Sequence, residues 1–149
     1  MFALNLPPFE ANITTTNGRS HIFDILRHRF VALTPEEWVR QHFIHYLIGH
    51  KGYPAPLMGN EMAISLNGTT RRCDSILYSK EGKPVMIMEY KSPAVHITQE
   101  VFNQISSYNY VLRVPYLVVS NGLSHYCCKV DFGTGCATFI PEIPDYHSL

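Results

Sequence analysis

Asp74, Glu89 and Lys91 are charged residues set in two short apolar runs. The first run is Arg71-Arg72-Cys73-Asp74-Ser75-Ile76-Leu77-Tyr78. The turn-forming stretch Ser79-Lys80-Glu81-Gly82-Lys83-Pro84 follows, and then Val85-Met86-Ile87-Met88-Glu89-Tyr90-Lys91. Short apolar runs bounded by a Gly/Pro turn read as the two arms of a β-hairpin. Side chains alternate along a strand, so Glu89 and Lys91 share a face. Asp74 and Glu89 each lie toward the end of their arm remote from the turn, so the hairpin sets them side by side. Two carboxylates and an ammonium then occupy one patch of sheet. Burying a charge is costly unless it is paired or binds a metal. Adjacent carboxylates also raise each other's pKa. A divalent cation answers both problems, and carboxylates with a backbone carbonyl and waters suit Mg²⁺ or Mn²⁺. The plainer alternative is an exposed edge with a Glu-Lys ion pair. Against it, Val85-Met86-Ile87-Met88 reads as a strand covered on both faces.

The elements that must position these groups follow from the rest of the chain. Its 149 residues are expected to form one domain, with a core over about 20–130 and an N-terminal arm over 1–12. Twelve Lys and Arg balance twelve Asp and Glu, so there is no global basic field of the kind that marks many nucleic-acid binders. Any such contact must come from a local patch or a partner. Cys73, Cys127, Cys128 and Cys136 form no Cys-x-x-Cys pair and read as free thiols of a cytoplasmic protein. A zinc site from His125, Cys127 and Cys136 lacks the usual spacing. The first eight residues have neither a basic region nor a sustained apolar run, so no signal peptide is expected. No apolar segment approaches bilayer length, so no membrane association is expected.

Asn17-Gly18 predicts a small hairpin. The stretch Ile25 to Leu33 is expected to continue as a strand, with Arg27-His28-Arg29 a solvated face. Thr34-Pro35-Glu36-Glu37 predicts a helix start: Thr34 caps, Pro35 takes the first turn and Glu37 completes a capping box. The helix is expected to run to about Gly49, with Trp38, Val39, Phe43, Tyr46 and Leu47 as its apolar stripe. Glu37 and Gln41 share a face one turn apart. A strand over 57–66 turns at Asn67-Gly68 into the Asp74 arm, giving an antiparallel meander. Thr98 caps a second helix to about Leu112, with Val101, Phe102, Ile105, Tyr108 and Leu112 buried and Gln104 one turn before Tyr108. Strands at 116–120, 124–130 and 137–140 follow. A helix joining the third strand of the meander to the next strand is a crossover, so those two should run parallel. The expected fold is α/β, a mixed central sheet flanked by helices in the order α-β-β-β-α-β-β, after an N-terminal extension and hairpin.

Asp74 followed by Glu89-Tyr90-Lys91 resembles the Asp…(Asp/Glu)-x-Lys signature of the restriction-endonuclease-like nuclease superfamily, and the element order is similar to its core. Gln104-Ile105-Ser106-Ser107-Tyr108 resembles the Gln-x-x-x-Tyr motif of one branch. Thr34-Pro35-Glu36-Glu37-Trp38-Val39-Arg40-Gln41 is similar to the first helix of the nuclease domain at the N-terminus of type I restriction R subunits. The resemblance spans roughly residues 20 to 130. It departs where Cys73 stands in place of a frequent proline, and the chain has no phosphate-binding Gly-rich motif, so it is not expected to translocate DNA unaided.

The resemblance implies metal-dependent hydrolysis of nucleic-acid phosphodiesters, restriction-type and with DNA as substrate. Asp74 and Glu89 would hold Mg²⁺ or Mn²⁺ with the Tyr90 carbonyl, and Glu37 would add a ligand directly or through water. Lys91 would orient or activate the attacking water and offset transition-state charge. Gln104 and Tyr108 would position the metal site or the nucleic-acid backbone. A helicase/translocase or a methyltransferase is the implied protein partner, and pairing of two copies is an option. Arg71, Arg72 and Lys83 read first as solvated surface and second as phosphate contacts. A non-catalytic module that keeps the fold to bind nucleic acid or a partner protein is the alternative reading, and DNA against RNA stays open.

Overall fold

The computed structural model describes residues 3–149. Met1 and Phe2 of the expected N-terminal arm lie outside the described residues. Residues 3–12 run without helix or strand and lead into a three-stranded antiparallel sheet of β1 (Ile13–Thr16), β2 (Arg19–Asp24) and β3 (Arg29–Ala32). The predicted hairpin at Asn17-Gly18 therefore gains a third strand. The stretch from Ile25 is not continuous strand: the side chain of Asp24 accepts the backbone N–H groups of Leu26 and Arg27 and bends the chain into a turn before β3.

Helix α1 spans Pro35–Lys51. Thr34 caps it by accepting the Glu37 N–H at 3.1 Å. The second half of the expected capping box does not form, because the Thr34 N–H goes to the Ala32 carbonyl and the Glu37 carboxylate turns toward arginines. The helix also passes through Gly49 and stops at Gly52, which adopts a left-handed φ of 73°. Only there can the chain turn so sharply without a Cβ penalty.

A six-stranded sheet follows, in the order β4 (Met58–Leu66), β5 (Thr69–Tyr78), β6 (Pro84–Tyr90), β7 (Tyr116–Ser120), β8 (His125–Val130) and β9 (Ala137–Ile140). All neighbours are antiparallel except β6 and β7, which run parallel through the crossover helix α2 (Gln99–Leu112). Helix α1 packs Val39, Phe43, Ile44 and Leu47 on one face of the sheet, against Leu77, Met86, Met88, Tyr90 and Val118. Helix α2 packs Phe102, Ile105 and Leu112 on the other, against Ile76, Ile87, Leu117 and Val119. Strand β6 is thus buried on both faces, which accounts for its unbroken apolar run. Tyr108 leaves the predicted buried stripe of α2; Asn109 takes the inward position and donates to the Tyr116 carbonyl at 2.9 Å. Among the described residues, no helix is long and apolar enough to cross a membrane.

Candidate active site

Strand pairing places Ser75 opposite Met88, so the next residues outward, Asp74 and Glu89, lie side by side where the β5–β6 pairing ends, in the middle of β5 and one residue before the end of β6. Asp74 Oδ2 accepts the backbone N–H of Tyr90 at 2.9 Å, and Glu89 Oε1 accepts from Arg71 Nη2 at 2.6 Å. Glu89 is buried. Burial first, and then the neighbouring Asp74 carboxylate, push the Glu89 pKa above the ordinary glutamate range, with Arg71 pulling the other way. Lys91 is partly buried, and its N–H donates to the Ser120 carbonyl at 2.8 Å, which ties the segment to β7. Among the described residues the Lys91 ammonium has no ion pair.

The ladder beside Asp74 is irregular. Asn60 pairs with Ser75 and Met62 with Cys73, but Glu61 and Asp74 between them do not pair. Glu61 is in the left-handed region at φ 57°, which is strained for a residue with a side chain. The two strands exchange faces at this point. Met58 and Leu77 belong to the core under α1, whereas Ile64 and Cys73 belong to the core under α2. Strict alternation would keep Met58 with Ile64 and Leu77 with Cys73. The exchange puts Arg71 on the α2 side, where its guanidinium lies over the Tyr108 ring, 4.4 Å from the centroid.

Two buried networks brace the irregular pair from the α1 side. In the first, Arg40 Nη1 donates to the Asp74 carbonyl at 2.7 Å and to Glu61 Oε1 at 2.9 Å, while its other nitrogens hold both oxygens of Glu37. Arg27 Nη2 and Gln41 Nε2 also donate to Glu37, each at 2.9 Å. In the second, Tyr90 Oη donates to Ser75 Oγ at 3.0 Å, Ser75 to Asn60 Oδ1 at 2.6 Å, and Asn60 Nδ2 to the carboxylate of Asp24. Arg27 Nε donates to the same carboxylate. Burial alone would raise the Asp24 pKa, but the Asn60 amide, Arg27 and the backbone N–H groups outweigh it and hold the carboxyl below the usual aspartate range.

These contacts sort the expected site residues. Asp74 and Glu89 are neighbours across the β5–β6 pair, the Tyr90 N–H bonds Asp74 while its ring enters the core under α1, and Lys91 follows Tyr90 just past the end of β6. Tyr108 joins them through Arg71. Gln104 is exposed one turn earlier on α2, and its backbone carbonyl accepts from Ser107. Glu37 does not extend the site as a ligand: Arg27, Arg40 and Gln41 take up both its oxygens. Arg27 is accordingly no part of a solvated face. Arg40, Glu61, Asn60, Ser75 and Asp24 carried no role in the sequence reading, and the polar pair Asn60-Glu61 inside an otherwise strand-like run was the available signal. The zinc alternative also fails: both ring nitrogens of His125 are engaged, Nε2 donating to the Asn5 carbonyl and Nδ1 shared with Ser120 Oγ, and the described residues hold no group of three or more His, Cys, Asp and Glu able to take a metal.

The donor set suits a hard cation. The described residues contain no group of three or more His, Cys, Asp and Glu able to hold a metal. Two adjacent carboxylates and a backbone carbonyl are instead what Mg²⁺ takes when waters and a substrate phosphate complete its shell.

A search of curated protein sequences finds no match. Among solved structures, a fragment described as an HsdR subunit of a type I restriction enzyme from Vibrio vulnificus YJ016 superposes with a TM-score of 0.51 at 17% identity. The match covers 75% of this chain and 24% of the other, so this chain spans about a quarter of its length. It shows a shared restriction-endonuclease-like fold. Residues 35–144, from the first turn of α1 past β9, match the family described as Type I restriction enzyme R protein N terminus. With that match covering most of the chain, Asp74 and Glu89 included, the protein belongs to the family of type I restriction enzyme R protein N-terminal domains.

Proposed function

We propose that the chain is a divalent-metal-dependent nuclease domain that hydrolyses phosphodiester bonds in DNA. The observation that carries this reading is the adjacency of Asp74 and Glu89, with Lys91 two residues beyond Glu89 and just past the end of β6, where the β5–β6 pairing stops and two buried networks brace it. A fold gains no stability from crowding like charges; Arg71 answers Glu89 alone, and Asp74 has no ion pair among the described residues, which leaves the pair a place for a divalent cation.

Asp74, Glu89 and the Tyr90 carbonyl would hold that cation, Mg²⁺ or Mn²⁺. Once bound, it supplies charge neutralisation at the phosphate and activates water for attack. Lys91 orients the water and offsets charge as the phosphorus becomes five-coordinate. Tyr108 and Gln104, on the α2 side, contribute backbone positioning. Arg40 fixes the Asp74 carbonyl, and the hydrogen bond from Tyr90 N–H fixes the Asp74 carboxylate, so both are oriented before substrate arrives. Other restriction subunits, a translocase or methyltransferase among them, are the protein partners this reading implies.

The test is calorimetric titration of Mn²⁺ into wild type and Glu89→Gln, followed by Mg²⁺-dependent cleavage of labelled single- and double-stranded DNA and RNA. Binding that is lost in the variant, with cleavage of DNA by wild type alone, supports the reading. Metal binding unchanged by Glu89→Gln rules out the site. Nucleic-acid binding without metal binding or turnover establishes the non-catalytic module instead.

A further inference from the structure

Arg71 has an environment that a simple ion pair does not explain. Its Nη2 donates to Glu89 Oε1 at 2.6 Å, with side-chain exposures of 21% for the arginine and 8% for the glutamate. Its guanidinium lies 4.4 Å from the centre of the Tyr108 ring. Its Nε is buried and, among the described residues, has no hydrogen-bond partner. A buried pair stabilises a fold only when its remaining donors and lone pairs are satisfied. Here one donor is idle, and the acceptor is one of the two carboxylates that would take a cation. The residue reaches this place only because β4 and β5 exchange faces at Glu61 and Asp74.

We propose that Arg71 is the resident cation of this site: it fills the charge requirement at Glu89 in the metal-free protein, and a divalent cation displaces it along the Tyr108 ring toward the scissile phosphate. The inference rests on the nuclease reading of Asp74 and Glu89. A guanidinium is permanently charged, and its planar fork matches phosphate as well as carboxylate. The aromatic platform lets it shift laterally while its stacking is kept. Glu89 thus exchanges one cation for another, and the released arginine meets the anion that the metal brings. Metal loading and nucleic-acid binding become coupled through one side chain.

The experiment is Mn²⁺ calorimetry on wild type, Arg71→Gln, Tyr108→Leu and Glu89→Gln, paired with fluorescence anisotropy of labelled DNA in Ca²⁺. Losing the competing charged hydrogen bond should tighten Mn²⁺ binding by Arg71→Gln about tenfold. The same variant should bind DNA more weakly and with a shallower salt dependence, having lost one phosphate contact. Tyr108→Leu leaves the charges in place and removes the platform, so it should tighten Mn²⁺ by a smaller factor. If Arg71→Gln lowers thermal stability with Mn²⁺ affinity unchanged or weakened, Arg71 is a structural clamp and the proposal falls, while the metal site stands as long as Glu89→Gln abolishes binding. If no variant and no wild type binds Mn²⁺, the nuclease reading falls and takes the proposal with it.

Discussion

Arg40, on α1, donates from Nη1 to the backbone carbonyl of Asp74 at 2.7 Å, at the one position between Met58 and Leu66 where the β4–β5 ladder skips a pair. A helix side chain thereby supplies a bond that the neighbouring strand does not. The same guanidinium joins Glu37 to Glu61, so α1, β4 and β5 meet at one charge. Arg40→Met leaves a buried carboxylate short of donors and strands the Asp74 carbonyl. Removing one partner of a buried pair costs about 3–5 kcal/mol, and urea unfolding should show a loss of that order. Arg40→Lys should recover only part, because an ammonium cannot reproduce the fork. A loss under about 1 kcal/mol would show that the brace is idle.

Asp74→Asn separates fold from metal. Asparagine keeps a side-chain oxygen that can accept the Tyr90 N–H now held at 2.9 Å, so the melting temperature should move by only a few degrees. The charge that would attract a divalent cation is gone, and Mn²⁺ affinity should drop roughly tenfold or more. Calorimetry checks it. Retention of wild-type affinity would remove Asp74 from the ligand set.

The pairing of Asp74 with Glu89 was legible because it needed only two rules, strand alternation and a turn at Gly82. The starts of both helices were legible in Thr34-Pro35 and Thr98, and the parallel pair β6–β7 followed from the intervening helix. The end of α1 was not: Gly49 is the expected stop, but it is Gly52 that takes the left-handed φ and caps the Leu47 carbonyl with its N–H. The polar pair Asn60-Glu61 marks the place of the face exchange but not the exchange itself, because a left-handed glutamate has no compositional signature. With it went the side of the sheet on which Arg71 lies. The partners of Glu37 were equally hidden. Arg27 is ten residues earlier in sequence and approaches only because a three-stranded sheet folds back beside α1.

Asp24 gives a pH dependence. It is fully buried and accepts from Asn60, Leu26 and Arg27, and its pKa in the folded protein lies below the ordinary value. Between those two values the unfolded chain binds more protons than the folded one. The stabilisation is therefore complete above the unfolded pKa and disappears as pH falls through the folded one. Wild type should lose stability in urea titrations taken from about pH 5 to pH 2. Asp24→Asn should be less stable near neutrality by roughly 2 kcal/mol and show a flatter acid limb. Parallel acid limbs would mean that other carboxylates dominate.

Lys91 offers the direct test of chemistry beside Asp74 and Glu89. Its backbone is fixed by the bond to the Ser120 carbonyl, so a side-chain change should not disturb β6 or β7. Its ammonium has no ion pair among the described residues, so little folding energy is lost with it. Lys91→Ala should keep Mn²⁺ affinity within a few-fold and lower the cleavage rate by about a hundredfold or more, the scale of losing one aimed electrostatic group. Lys91→Arg should not restore the rate, because a guanidinium is bulkier and cannot give up a proton. Single-turnover cleavage at saturating metal separates the effect from binding. A rate unchanged in Lys91→Ala would leave Asp74 and Glu89 as a metal site whose water is activated by another group.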